Sequence, residues 1–333
     1  MEKLGVAVIG TGFMGEMHAK IYQDLPNAEL IGVYDQRRES AAKVASSLGV
    51  NAFKSMEELL GHKNVDAVSI CVSDDNHLEP TVAACEAGKH ILLEKPIATN
   101  LDDATRIVEA AKENGVRLTV GHLLRVDPKY AQLQSYVESG GIGTPVSIYT
   151  RRNSPKTDGP ARYGSDGILT LHVAVHDIDL ILWVMKKKVV RVYAERASIA
   201  LKELGIEDAI FATLKFEDGS IGCMQYNWAL PKEFPTHIDA KMEIIGTDGT
   251  VAVDCADQGL SICGKDGYQW PDVMHWPDVR GGVQGALREE VRAFVDGILN
   301  GTDLIISPEE SLEAVRLALA IMESLEKEAV VSL

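Results

Sequence analysis

Along residues 1–122, short apolar runs at 4–9, 30–34, 67–72, 90–93 and 117–120 alternate with longer segments at 13–25, 38–48, 75–88 and 101–114. In those longer segments Ala, Leu, Ile and Val recur at helical spacing. Unbroken apolar strands separated by helices predict a parallel sheet covered on both faces. Past roughly residue 140 the grammar changes to alternation of apolar and polar positions over 189–200, 209–216, 220–228, 241–245 and 250–254. Glu217-Asp218-Gly219-Ser220 and Thr247-Asp248-Gly249 carry hairpin turn chemistry between these runs. That pattern predicts an antiparallel sheet with one wet face. Two helices, 283–300 and 308–328, close the chain, the second opening on Ser307-Pro308-Glu309-Glu310, an N-cap followed by Pro at the first helical position. One boundary near residue 123 separates the two grammars, giving domains 1–123 and 124–333.

The length of 333 residues suits two domains, each able to bury a core. The net charge of −16 argues against a non-specific nucleic-acid binder, which needs a basic face, and against a polybasic membrane-surface protein. No apolar run is long enough to span a bilayer, and the first one stops at Gly10, so it reads as a strand and not a signal peptide. The five cysteines are odd in number and scattered, with no metal-ligand spacing, so no metal is expected and a reducing cytoplasm is the simplest compartment.

The first turn carries chemistry. Gly10-Thr11-Gly12-Phe13-Met14-Gly15 follows a strand and opens a helix, and Asp35 closes the next strand twenty residues past Gly15. In that context the glycines serve a dinucleotide: Gly10 for the tight turn, Gly12 for approach of the pyrophosphate and Gly15 for helix packing. The helix N-terminus would meet the phosphates and Asp35 the ribose diol, which favours NAD. Arg37 and Arg38, just past the acidic residue, leave NADP open, since an Arg there can pair with a 2′-phosphate. Glu94-Lys95-Pro96 ends another strand, so Lys95 stands beyond the carboxyl end of the sheet, where ligands of open α/β sheets bind.

Together, GTGFMG, Asp35, the segment CVSDDNH at 71–77, EKP at 94–96 and VHDID at 175–179 resemble the Gfo/Idh/MocA oxidoreductase family, over both domains and nearly the whole chain. The resemblance implies a Rossmann doubly wound parallel sheet plus a C-terminal α/β domain with an open, mostly antiparallel sheet. It also implies NAD(P)-dependent hydride transfer at a ring hydroxyl or ketone of a sugar, sugar acid, nucleotide sugar or cyclitol, by a homodimer or homotetramer paired through that sheet. Lys95 matches the family's catalytic lysine and His176 its acid/base histidine, whose imidazole exchanges protons near neutral pH. Ser73, Asn76 and His77 match the loop that lines the cofactor, with Glu94 beside it.

The chain departs from the family at residue 172, where His replaces a frequent Asp. His172 and His176 would share a helix face at i,i+4. His172 could bond the substrate, be structural, or form a metal pair with His176, although the Glu of an HExxH motif is missing. The charge balance also reverses between 122 and 163, where Arg125, Lys129, Arg151, Arg152, Lys156 and Arg162 face only Asp127, Glu138 and Asp158. Residues 151–163 read as a Gly/Pro-rich loop; Arg125, which by the resemblance matches the basic residue of a family GxxxR stretch, and with it Arg152 and Asn153 from that loop, would contact the substrate as donors; strand arginines facing solvent or a partner subunit are the plainer alternative. His18 and His122 are candidates by proximity, and Trp270 and Trp276 lie in an aromatic loop. Two other functions fit the same motifs: an NAD-dependent glycosidase acting by transient oxidation and elimination, and a non-enzymatic NAD/sugar-sensing regulator.

Overall fold

The computed structural model describes residues 3–160, 168–265 and 267–333. Two compact units divide the chain, the first formed by Met1–Val126 with His275–Val315, the second by Asp127–Met274 with Arg316–Leu333.

The first unit contains strands β1 (Leu4–Ile9), β2 (Ala28–Tyr34), β3 (Asn51–Ala52), β4 (Ala67–Ile70), β5 (His90–Leu93) and β6 (Leu118–Val120). Their order is β3-β2-β1-β4-β5-β6 and every pairing is parallel. The order reverses between β1 and β4, which opens a crevice at the carboxyl ends of the strands. Helices α1 (Phe13–Asp24), α2 (Arg38–Leu48), α3 (Met56–Leu60), α4 (Leu78–Glu86) and α5 (Leu101–Glu113) make the crossovers. Every residue of β1 is buried, as a strand covered on both faces requires. The short β3 and α3 were not foreseen; each is too brief to show a period.

The second unit begins with α6 (Pro128–Glu138) and β7 (Pro145–Pro155), followed by α7 (Val175–Met185). Strands β8 (Val189–Ala197), β9 (Ala209–Phe216), β10 (Ile221–Leu230), β11 (Asp239–Gly246) and β12 (Thr250–Asp254) complete a seven-stranded sheet with a terminal strand, Val331–Ser332. The order is β12-β11-β7-β10-β9-β8 and then the terminal strand; only β7 and β10 run parallel. Alternate residues of β9 and β10 are buried, while Phe211, Ile221 and Ile245 of β9, β10 and β11 stand about half exposed on the other face. The open, mostly antiparallel sheet is therefore present.

Two boundaries differ from the sequence reading. The loop expected over 151–163 starts later, because β7 runs through Pro155 and holds Arg151, Arg152 and Asn153 in its ladder; Arg162 lies outside the described residues. The single boundary near residue 123 also misses that 275–315 packs with the first unit. The reason is α8 (Ala286–Asn300), whose Leu287, Val291, Phe294 and Val295 are buried in one core with Val6, Val8, Tyr22 and Leu92. Each such side chain stabilises by about 1.5–3 kcal/mol when fully buried, so this helix belongs to the core it fills. Last comes α9 (Pro308–Lys327), whose Ser307 Oγ accepts from the Glu310 N–H while a Glu310 carboxylate oxygen accepts from the Ser307 N–H, a reciprocal cap.

Candidate functional site

The turn from β1 into α1 is set by backbone crowding. Gly10 has φ +90°, and a Cβ on it would lie 2.5 Å from the Cys71 carbonyl oxygen. A Cβ on Gly15 would lie 1.8 Å from the Gly10 carbonyl oxygen. Both positions need glycine, the first for its left-handed backbone and both for space. Gly12 differs, since a Cβ there would meet nothing within 4 Å. It forms the N-cap of α1 and no side chain caps the helix among the described residues. Its first N–H groups therefore suit an anion, and the gap over Gly12 lets one approach the backbone.

Asp35, half-buried after β2, is aimed by this turn. Its Oδ2 accepts from the Thr11 N–H at 2.7 Å and the Thr11 hydroxyl at 3.0 Å, and its Oδ1 accepts from the Arg37 N–H at 2.8 Å. The Arg37 side chain is exposed, its Nε 3.7 Å from Asp35. These residues fit an adenosine ribose and a pyrophosphate. Phe13 is half exposed with its ring edge-on to Trp276 at 6.2 Å, and Met14 packs partly into the first-unit core.

The turns after β4 and β5 are tied together by a residue first assigned to the cofactor loop. His77 is buried, with Nδ1 2.8 Å from the Pro96 carbonyl oxygen and Nε2 3.3 Å from that of Val72. Burial holds its pKa below the usual histidine range, although Asp74 and the two carbonyls oppose this. A neutral ring carries one hydrogen, which the shorter contact assigns to Nδ1. Its ring thus clasps the Glu94-Lys95-Pro96 turn, while Ser73 and Asn76 stay exposed, joined by an Asn76 amide donating to Ser73 Oγ at 2.8 Å. The Lys95–Pro96 peptide is cis and Lys95 is half-buried.

In the second unit, Thr170–Ala174 form a π-helical turn leading into α7, with the Val175 N–H donating to Thr170 five residues back. The wider turn replaces the plain α-helix expected to hold His172 and His176 on one face, so their i,i+4 relation does not carry over unchanged. The ring of His172 stacks on Trp228, centroids 6.4 Å apart. Beside His176, the buried Asp177 takes a forked pair from Arg152 on β7, Nε to Oδ2 at 2.7 Å and an outer nitrogen to Oδ1 at 3.1 Å. Burial works against the Arg152 charge, but Asp177 outweighs it and holds the guanidinium protonated. Asn153 donates to Asp239 at 2.8 Å, as Arg151 does at 2.6 Å. In the first unit, buried Arg125 donates to Glu310 at 2.8 Å. Sequence reasoning missed Asp177 as the partner of Arg152; an Arg at an inward position of an alternating strand was the available signal.

Residues 4–122 match the GFO/IDH/MocA family described as an oxidoreductase family with an NAD-binding Rossmann fold, and 130–252 match its C-terminal domain. The chain is 27% identical to a myo-inositol 2-dehydrogenase of Thermotoga maritima, over 98% of each chain. It is 30% identical to inositol 2-dehydrogenase 3 of Saccharopolyspora erythraea, covering 89% of this chain and 85% of that one. The scyllo-inositol dehydrogenase of Lactobacillus casei, solved with NAD(H) and scyllo-inositol bound, shares the fold with a TM-score of 0.86 at 24% identity, over 99% of each chain.

The two glycines should separate folding from binding. Gly15→Ala forces a Cβ onto the Gly10 carbonyl and should destabilise the first unit by about 1–3 kcal/mol in chemical denaturation. Gly12→Ala should leave the unfolding curve unchanged. Calorimetry should show its NAD dissociation constant raised roughly ten- to hundredfold, the weight of a lost phosphate hydrogen bond.

Proposed function

The chain belongs to the GFO/IDH/MocA oxidoreductase family, an NAD-dependent enzyme family by its Rossmann half, and from that premise we propose that it transfers hydride at a ring CH–OH of a neutral cyclitol or sugar. NAD supplies the hydride acceptor. Lys95 hydrogen-bonds the reacting oxygen and stabilises its alkoxide character. His176 takes the hydroxyl proton, a task suited to an imidazole near neutral pH. His172 bonds a neighbouring hydroxyl, with its ring oriented by Trp228. Arg152 and Asn153 act from behind, by fixing Asp177 next to His176 and by engaging Asp239.

The observation that carries this reading is Lys95 at the end of β5, in the sheet whose first turn fits a dinucleotide, in a chain matched over its length by inositol dehydrogenases. A neutral substrate is favoured over an acid sugar because Arg125, Arg151 and Arg152 each meet a carboxylate. The glycosidase and regulator readings gain no support from relatives named as dehydrogenases.

A second copy of the chain is the proposed partner. The open face of the second-unit sheet has a concavity of about 630 Å³ lined by Tyr149, Thr213, Ile221 and Cys223 among others, with Phe211 and Ile245 exposed on that face. Exposed apolar groups such as these, set among the polar Arg191, Lys215 and Glu243 of the same face, are covered in an oligomer more cheaply than they are left in water. All five cysteines are free, which suits a reducing cytoplasm. No helix of the described residues is long and apolar enough to cross a membrane.

NADH formation should be assayed over inositols, aldoses, uronates and nucleotide sugars. Turnover is expected on at least one neutral cyclitol or sugar, and Lys95→Met should lower kcat by about a hundred- to a thousandfold while NAD still binds. No turnover on any polyol, or full activity in Lys95→Met, contradicts the reading; product release without NADH accumulation favours the glycosidase. Light scattering should give a dimer or tetramer that Ile221→Glu shifts toward monomer, and a monomeric wild type contradicts the partner assignment.

A further inference from the structure

Behind the Lys95 turn runs a buried line of polar side chains. His18 and Tyr22, one turn apart on α1, both face Ser69 on β4, and all three are 0% exposed. Ser69 Oγ lies 3.0 Å from His18 Nδ1 and 2.7 Å from the Tyr22 hydroxyl. The other ring nitrogen, His18 Nε2, lies 3.2 Å from Glu94 Oε1. Glu94, itself buried, is the residue before Lys95.

Hydrogen placement follows from donor counting. An ionised carboxylate only accepts, so Nε2 of His18 carries the hydrogen. With the ring neutral, Nδ1 accepts from the Ser69 hydroxyl, and the Ser69 oxygen accepts from the Tyr22 phenol. The hydrogens then point one way, from phenol to hydroxyl to imidazole, and His18 Nε2 stands in contact with the Glu94 carboxylate at its far end. Burial pushes the Tyr22 phenol up, so it remains a donor. Burial also pushes the Glu94 carboxyl up, but the contact with His18 and the neighbouring Lys95 ammonium outweigh it and hold the group below its usual range. Two other groups crowd this line. An ideal Cβ on Gly121 would lie 3.5 Å from oxygens of both Glu94 and the buried Glu290. Ligand atoms of His18, Cys71 and Glu94 lie within 4.8 Å of one another, but burial first, then Glu94 and Glu290, pushes the Cys71 thiol well up and disfavours the thiolate a metal would need.

We propose that Glu94 is a positioning residue for Lys95, oriented by the Tyr22–Ser69–His18 chain, and that its carboxylate keeps the Lys95 ammonium charged and directed at the reacting oxygen. The inference rests on Lys95 being the group that polarises that oxygen. Glu94 immediately precedes Lys95, a nearby carboxylate favours the charged form of an ammonium, and packing against His18 at 3.2 Å limits how far that carboxylate can turn. The same logic orients the imidazole of a catalytic triad through a buried acid.

The direct test needs no turnover. Full-length protein without cofactor is acetylated in short pulses at a series of pH values, and labelling of Lys95 is read by peptide mass spectrometry. Glu94→Gln should lower the midpoint for Lys95 by about one unit or more relative to wild type. Tyr22→Phe, which keeps the shape and removes the first donor, should lower it by less. In turnover, Glu94→Gln should cut kcat at least about tenfold with the KM for NAD nearly unchanged, and Glu94→Asp should recover part of that loss. An unmoved Lys95 midpoint in Glu94→Gln overturns the proposal; if that variant does not fold, an unmoved midpoint in Tyr22→Phe overturns it. A wild type inactive on every polyol, with the midpoint shifted as expected, overturns the functional reading and leaves the Glu94–Lys95 coupling standing.

Discussion

The Gly10 carbonyl oxygen and the backbone of residue 15 approach so closely that no side chain fits between them. That contact lets α1 start directly over β1 and aims its unpaired N–H groups at the crevice beside β4. It also sets what α1 can reach further along. One and two turns past Gly15, His18 and Tyr22 fall over Ser69 and the Glu94 turn. The proposed seat for the phosphates and the buried line proposed to support Lys95 thus lie along one helix fixed by one crowded turn.

Each unit repeats a single electrostatic device next to a residue proposed to act. Glu94 precedes Lys95 and is held by His18; Asp177 follows His176 and is held by the fork of Arg152. Buried carboxylates are costly unless paired and hydrogen-bonded, so both are anchored by residues from other elements. Breaking such a pair leaves an uncompensated buried charge, whereas an apolar replacement of both partners is far better tolerated. The pairs are therefore better read as fixing geometry than as a source of stability.

Much of this was legible in the chain. Unbroken apolar strands foretold the parallel sheet, alternation the antiparallel one, and the glycine pattern the crowded turn from β1 into α1 that Asp35 braces. What stayed hidden has physical causes. An amphipathic helix declares that it has an apolar face but not which core that face enters, so α8 was assigned past the domain boundary although Phe294 and Val291 complete the first-unit core. Arg151-Arg152-Asn153 looks like loop because it is polar, yet Asp177 and Asp239, distant in sequence, neutralise it inside a strand. The π turn before His176 adds one residue to a helical period and leaves no compositional trace. His77 was assigned to the cofactor from its neighbours, while its ring clasps the carbonyls of Val72 and Pro96.

The account depends most on the first βα turn and Asp35 forming a seat for NAD. Calorimetric titration of the wild-type chain with NAD and with NADP tests it most directly. The carboxylate of Asp35, fixed by Thr11 and facing where a ribose 2′ position would lie, predicts NAD binding at least about tenfold more tightly. Equal or tighter binding of NADP would contradict it and move the selective role to Arg37 and Arg38.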